Sequence, residues 1–240
     1  RARGKVLPAA VHLDSGMCRL GLPPDEVERL RADPRRLDGI VPTCILSHLA
    51  CAEVPDDAKN AEQLAAFKGA LGALPRAPVS FCNSSGIFLG PDYHFDLARP
   101  GVALYGVNPT PGQPNPMRPV VRLQAKILQV RSIDAPQTVG YGATHRATGP
   151  ARIATVAAGY ADGYLRCWSG KGALRRGEAL LPLLGLVSMD MVVVDCGAVP
   201  DLREGDWLDI PFDLPGAAGR CGLSQYELLT TLGDRFKFVT

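Results

Sequence analysis

The sequence lacks a hydrophobic run long enough to cross a membrane, and it lacks a cluster of like charges. No segment reaches the ~18 consecutive apolar residues of a transmembrane helix, and residues 1–11 have no apolar core of the kind a signal peptide needs. The 26 Lys and Arg residues are scattered among 24 Asp and Glu residues, for a formal net charge of +2. We therefore expect a soluble cytoplasmic protein, with neither nucleic acid nor a lipid surface as its partner.

Paired cysteines at metal-binding spacing are missing as well. The chain has seven cysteines, an odd number, and no CxxC motif. Such usage is typical of reduced thiols in a cytosolic protein, and it predicts neither a disulfide framework nor a metal site.

The first part of the chain has the pattern of repeated strand and helix units. Predicted strands begin near Val11, Cys44, Val79 and Val102, the last of them in the segment Asp96–Gly106. Helices are predicted over Pro23–Ala32 and Asp57–Leu71. In the second helix the apolar residues at roughly helical spacing are Ala61, Leu64, Ala65 and Leu71. The spacing of the strands predicts a parallel sheet built by right-handed crossovers.

Polar residues follow the predicted strands where each strand ends. They comprise Asp14 to Arg19, then His48, then Asn83 with Ser84. The carboxyl ends of parallel strands are where (β/α) barrels place their chemistry. Because four units make only half of a (β/α)8 barrel, either the sheet is open or the first half of the barrel precedes Arg1.

The composition and the hydrophobic pattern change after Val107. A proline-rich linker, NPTPGQPNPMRP, leads into short alternating segments separated by glycine-rich turns, which predict an antiparallel β domain. We expect a partial barrel over residues 1–115 and a β domain over residues 116–240. A closing helix is predicted within Ser224–Leu232, where Ser224 and Glu227 have the spacing of a capping box.

Seven motifs occur in the order and approximate spacing found in alanine racemases, and the chain resembles that family over most of its length. The motifs are HLDSGMCRLG (12–21), SHLACAE (47–53), FCNSSG (81–86), RPGVALYG (99–106), VGYGAT (139–144), GYADGYLR (159–166) and VSMDMVVVD (187–195). The resemblance implies a pyridoxal-phosphate enzyme with a TIM-type barrel followed by a β domain.

The resemblance also implies that part of the family's barrel is missing from this chain. Family members carry the cofactor lysine on their first barrel strand, and no lysine here lies in a similar context. We therefore expect a family member that lacks roughly the first half of its barrel.

Racemisation requires a base on each face of the substrate α-carbon. The resemblance assigns one base to the missing lysine and the other to Tyr141, which His48 and Arg99 would help to activate. Because Tyr141 lies in the predicted β domain, the resemblance implies a homodimer whose active sites are shared between subunits. Without the family comparison, VGYGAT would be interpreted as a glycine-rich turn with a buried tyrosine.

The resemblance assigns the remaining site residues to cofactor and substrate. Arg99 would face the pyridine nitrogen of the cofactor, although alone it would be interpreted as a cap on a surface strand. The phosphate would be held by Asn83, Ser84, Gly101 and Val102, although NSSG alone is most often a simple turn. The residues implied in substrate binding are Arg19, Met189 and Tyr160, and Arg166 matches a residue of the access channel.

Four positions depart from the family pattern, among them Glu53, where an Asp is common, and Leu186, where an Arg often lines the access channel. His12 stands where some members have a carbamylated lysine that orients the arginine matched by Arg19. Asp234 stands about where a tyrosine often lines the access channel. These differences leave the substrate range open.

The sequence thus favours an alanine racemase that interconverts L-alanine and D-alanine by two-base proton transfer and supplies peptidoglycan synthesis. One alternative is a racemase of broader specificity that also acts on serine. The other is an inactive remnant that serves as a structural or binding module.

Overall fold

A computed structural model describes residues 5–211 and 214–237, and the chain divides into two compact units. The parallel unit extends to Arg118, and the β-barrel unit begins at Pro119. Among the described residues, no helix is long and apolar enough to cross a membrane. In the same residues, no group of three His, Cys, Asp or Glu side chains is placed to hold a metal ion.

The parallel unit is a three-stranded parallel sheet with a helix after each of its first two strands. Its elements are β1 (Leu7–His12), α1 (Pro24–Ala32), β2 (Ile40–Leu46), α2 (Ala58–Leu71) and β3 (Val79–Ser80). The strand order is β1-β2-β3, so neighbours in sequence are neighbours in space. This confirms the predicted strand and helix units through β3.

Sequence signals at the helix ends explain where both helices begin. In α1, Pro24 is the first residue, and acidic side chains in the first turn precede arginines in the last, which suits the helix dipole. In α2, the Asp57 carboxylate accepts a hydrogen bond from the Lys59 N–H at 2.8 Å. This N-cap satisfies a backbone donor that the helix leaves without a partner.

The predicted fourth strand is wrong, because residues Val102–Tyr105 form a short 3-10 helix. The turn ends at Gly106, whose φ of 82° is left-handed and suits a residue without a side chain. A second correction concerns two of the four apolar residues noted in α2, since Leu64 and Leu71 do pack against the core. Asn60, Gln63 and Phe67 are the buried residues of this helix, whereas Ala61 and Ala65 are exposed.

An aromatic cluster forms the centre of the parallel unit. The Phe67 ring stacks on the Phe81 ring with centroids 4.7 Å apart, and it meets the Phe95 ring edge-on at 5.5 Å. Tyr93 stacks on the other side of Phe81 at 6.1 Å. The cluster therefore packs α2 and the segment after β3 against the core beside the strand ends.

The β-barrel unit closes on itself through antiparallel pairs. The strands are β4 (Leu123–Ile133), β5 (Thr138–Val139), β6 (His145–Arg146), β7 (Ala151–Val156), β8 (Ala173–Arg176), β9 (Ala179–Leu184), β10 (Val192–Asp195) and β11 (Trp207–Ile210). The barrel strands follow the order β10-β7-β4-β11-β8-β9, and β9 pairs back to β10. A separate hairpin joins β5 to β6.

Alternation along the strands explains the closure. In β4, Leu123, Ala125 and Ile127 are buried while the residues between them are exposed, so one face fills the interior. The predicted antiparallel β domain is confirmed, and the closed barrel is a feature that the sequence did not reveal.

Two helices follow the barrel strands, α3 (Leu214–Cys221) and α4 (Gln225–Thr230). The predicted capping box of α4 is confirmed. The Ser224 hydroxyl accepts from the Glu227 N–H, and the Glu227 carboxylate accepts from the Ser224 N–H.

Candidate active site

Arg99 is the centre of the polar cluster at the strand ends of the parallel unit. Its guanidinium donates to the Ser47 carbonyl at 2.6 Å and to the Ser80 hydroxyl. The same group lies 3.5 Å from Nδ1 of His48. Ser47 and His48 directly follow β2 and Ser80 ends β3, so one side chain connects two strand ends.

The backbone around Arg99 is attached to β3. The Val79 N–H donates to the Asp96 carboxylate at 2.8 Å, and the Asp96 N–H donates back to the Val79 carbonyl at 3.0 Å. The Ser80 hydroxyl donates to the Leu97 carbonyl at 2.6 Å. These bonds attach residues 96–97 to β3 without extending the parallel sheet by a fourth strand.

Arg99 has no carboxylate partner among the described residues, since none of the ion pairs found there includes it. Its side chain is half-buried, and burial lowers the pKa of the guanidinium. A guanidinium has five N–H donors and no acceptor. The group can therefore still donate to a neutral acceptor, and the unprotonated pyridine nitrogen of a pyridoxal cofactor is such an acceptor.

A polar network lies behind His48. The buried amide of Gln63 donates to the His48 carbonyl at 2.9 Å and accepts from the Ala50 N–H at 2.8 Å. It also lies 3.3 Å from the Ser15 hydroxyl, which is 2.7 Å from the Ser47 hydroxyl. The network fixes the loop after β2 from behind. Sequence reasoning missed Gln63 because a glutamine inside a helix carries no motif.

Positive charge surrounds the two histidines of this cluster. Burial lowers the pKa of His48, and Arg99, Arg19 and His12 lower it further. Burial also lowers the pKa of His12, together with Arg99 and Arg19, while Asp14 acts in the opposite direction. Arg19 is exposed but lies close enough to act electrostatically on both imidazoles.

Asp14 shapes the loop that carries Arg19. Its Oδ1 accepts from the N–H groups of Gly16, Met17 and Cys18 at 2.9, 3.0 and 3.1 Å. Burial tends to raise the pKa of Asp14, but these three bonds outweigh burial and the net pKa is lowered. The ionised carboxylate is thus part of the fold of this loop.

The residues assigned to phosphate lie in two turns that touch. The buried Ser84 hydroxyl oxygen accepts from the N–H groups of Gly101 and Ala103 at 2.8 and 3.2 Å, so its own hydrogen is left to donate. The Asn83 carboxamide oxygen accepts from the Gly86 N–H at 2.9 Å. Val102 lies between Gly101 and Ala103 and is the first residue of the 3-10 helix. Ser84 and the turn 101–103 are brought together, while Asn83 is already used to cap its own turn.

Tyr141, Tyr160 and Met189 belong to the β-barrel unit. Tyr141 is 71% exposed, so the interpretation of VGYGAT as a glycine-rich turn is confirmed but the expected burial of its tyrosine is wrong. It lies in a turn where Gly140 and Gly142 have φ of 75° and 68°, values that favour glycine.

The structure brings Tyr160 and Met189 together through their backbones. The Tyr160 N–H donates to the Ser188 carbonyl at 3.0 Å, and the Ala161 N–H donates to the Met189 carbonyl at 2.9 Å. Both side chains are exposed. The two turns therefore present neighbouring residues on one surface of the barrel.

Comparisons with known proteins identify both units. The N-terminal domain of alanine racemases matches residues 1–109, and the C-terminal domain matches residues 120–240. The catabolic alanine racemase of Mesorhizobium japonicum is 52% identical over 238 residues, which cover 97% of this chain and 62% of the relative. The alanine racemase of Rhodospirillum rubrum is 49% identical over 97% of this chain and 64% of the relative.

Solved structures show the same similarity. The alanine racemase of Bartonella henselae, crystallised with covalently bound pyridoxal phosphate, is 41% identical and has a TM-score of 0.87. The match covers 97% of this chain and 66% of that structure. This chain thus spans somewhat less than two thirds of the length of the curated relatives named above.

A titration tests the charge environment of the two site histidines. Because their pKa values are lowered on folding, the unfolded chain binds more protons, and stability falls as the pH drops through about 6.5. We expect the NMR titration midpoints of His12 and His48 to lie below about 6.5. Arg99→Gln should raise both midpoints part of the way, since burial remains.

Arg99→Lys is the matched control, because it keeps the positive charge and should leave the midpoints lowered. The four histidines can be assigned with single His→Asn substitutions. Midpoints that do not move in Arg99→Gln would contradict the assigned electrostatic cause.

Proposed function

Because this chain belongs to the alanine racemase family, we propose that a protein of the relatives' length containing it interconverts L-alanine and D-alanine with pyridoxal phosphate. The observation that carries the proposal is Arg99, a half-buried guanidinium without a carboxylate partner. It is held by Ser47 and Ser80 beside His48.

We further propose that the parallel unit is the second half of a (β/α)8 barrel. Support comes from the parallel order β1-β2-β3 and from polar residues placed after the strand ends. In this proposal residues 1–115 form the cofactor-binding segment. The cofactor lysine would lie in the part of the relatives' length that this chain does not span.

Each site residue assigned to the cofactor from the sequence has a proposed role in binding it. Bound pyridoxal phosphate supplies an electron sink that stabilises the charge left on the substrate when its α-proton leaves. Arg99 donates to the ring nitrogen and, because a guanidinium does not give up its proton, keeps that nitrogen neutral. The Ser84 hydroxyl and the turn at Gly101 and Val102 hold the phosphate, with Asn83 shaping the adjacent turn.

The proposed proton transfer uses Tyr141 Oη as the base for the L-enantiomer. A phenol with a pKa of about 10 needs nearby positive charge to act at neutral pH, and the guanidinium groups of Arg99 and Arg19 offer such charge beside the neutral imidazole of His48. Arg19 and the Met189 N–H hold the substrate carboxylate, and Tyr160 borders the substrate.

The first test is exchange of the substrate α-proton in deuterated water, followed by NMR on the protein of full length. We expect Tyr141→Phe to slow exchange from L-alanine by about 100- to 10,000-fold, because general bases contribute that much. Cofactor binding should change little.

Tyr226→Phe, at an exposed tyrosine of α4, is the control and should behave as wild type. Equal loss of exchange and of cofactor binding would contradict a base at Tyr141. L-serine, run in parallel, distinguishes the broad-specificity alternative. Exchange from neither amino acid would favour an inactive remnant.

We propose that the active protein is a homodimer in which Tyr141 serves the site of the other subunit. The 71% exposure of Tyr141 supports this arrangement, since an exposed phenol can reach a second chain. Tyr141→Phe and Arg99→Gln each leave both sites of their own homodimer defective. A mixed dimer has one site with both native residues.

Mixing these two inactive variants under conditions of subunit exchange should therefore restore activity. With random mixing about half of the dimers are mixed and each has one intact site, so recovery should approach about one quarter of wild type. Two variants of the same residue, Arg99→Gln and Arg99→Met, should restore none. A mixture of Tyr141→Phe and Arg99→Gln that stays inactive would argue against shared sites.

The metabolic role has two candidates. The first, which we propose, is the supply of D-alanine for peptidoglycan. The second is a catabolic role, which is supported by relatives from Mesorhizobium japonicum and Agrobacterium fabrum that are named catabolic alanine racemases. Loss of the gene should make growth depend on added D-alanine in the first case. In the second, only growth on alanine as a carbon source should be lost.

A further inference from the structure

Arg235 joins two carboxylates in the β-barrel unit. Its Nε donates to Oδ1 of Asp162 at 2.5 Å and its Nη2 donates to Oδ2 of the same residue. The remaining terminal nitrogen, Nη1, lies 2.8 Å from Oδ1 of Asp190. The guanidinium thus holds one carboxylate with its fork and the second with its free end.

Asp162 is the anchored end of this arrangement. It is 4% exposed, and its Oδ2 also accepts from the Gly159 N–H at 2.8 Å. A buried carboxylate is costly unless it is paired and hydrogen-bonded. Arg235 therefore compensates a charge that the fold has already buried beneath the turn at Tyr160.

The two carboxylates belong to the two turns that carry the proposed substrate residues. Asp162 ends the turn Tyr160–Asp162, and Asp190 directly follows Met189. Gly159 lies so close to the Ser188 and Met189 carbonyls that an added Cβ would overlap them. The two turns are thus in backbone contact at Gly159. Arg235 links them a second time, through Asp162 and Asp190.

We propose that Arg235 is a positioning residue for the substrate site. By linking Asp162 to Asp190 it fixes the turn that carries Tyr160 against the turn that carries Met189. This inference rests on the proposed function for its substrate roles, but the link itself is a property of the β-barrel unit. A lysine offers a point charge and no fork, so it can pair with Asp162 but cannot hold both carboxylates in this geometry.

The test combines hydrogen exchange with kinetics on the full-length protein. In Arg235→Lys, the amides of Tyr160 and Ala161 should exchange at least about tenfold faster, while amides of β4 and β7 keep their rates. The Michaelis constant for alanine should rise about tenfold with less than about a twofold fall in kcat, because the lost contacts hold the substrate rather than the reacting proton.

Asp190→Asn provides a second variant in case the lysine variant folds poorly. Asp190 is half-exposed, so its neutralisation should leave the barrel intact and reproduce the rise in the Michaelis constant. The double variant should show less than the product of the two single effects, since both remove the same link. Arg220→Lys is the matched control, because Arg220 lies over the Trp168 ring at 5.4 Å instead of joining these turns.

Unchanged exchange at Tyr160 and Ala161 would overturn the proposal. So would faster exchange across β4 and β7 as well, since that result describes a purely structural ion pair. Exchange is measured without substrate, so a wild-type protein that fails to racemise alanine would refute the proposed function while the exchange data still decide whether Arg235 links the turns.

Discussion

The arrangement at the strand ends depends on a guanidinium that is half-buried without a carboxylate to balance it. Arg99 is held by a carbonyl and a hydroxyl at the ends of β2 and β3, so its orientation is fixed while its charge is not neutralised. Burial lowers the pKa of the neighbouring imidazoles of His12 and His48, and the Arg99 charge lowers it further. A carboxylate paired with Arg99 would offset the electrostatic part of this effect and leave the part due to burial.

The segment after β3 is irregular where the sequence predicted a strand. Had residues 102–105 continued the sheet as a strand, the backbone near Arg99 would have been committed to a ladder of hydrogen bonds. A 3-10 helix instead turns the Gly101 and Ala103 N–H groups toward the Ser84 hydroxyl. The strand prediction therefore fails where the backbone binds the Ser84 hydroxyl instead of a neighbouring strand.

Motifs and periodicity were sufficient to predict the parallel units, the antiparallel domain and the capping box of α4. They failed where polar side chains are buried. Gln63 and Asn60 are polar residues on the buried face of α2, so the spacing of apolar residues identified only Leu64 and Leu71 of that face. Arg235 was missed for a related reason, because its partners Asp162 and Asp190 are 73 and 45 residues away and only the closed barrel brings them together.

The two arginines show how partners determine what the same side chain can do. Arg235 donates to two carboxylates, one of them buried, so its charge is balanced within the fold. Its proposed role is therefore to fix the relative position of two turns. Arg99 is bound by neutral groups, which orient it without balancing it, and its charge stays available to whatever acceptor approaches. An Asp or Glu introduced beside Arg99 would make it resemble Arg235: better compensated, equally well oriented, and no longer able to direct its charge toward a cofactor.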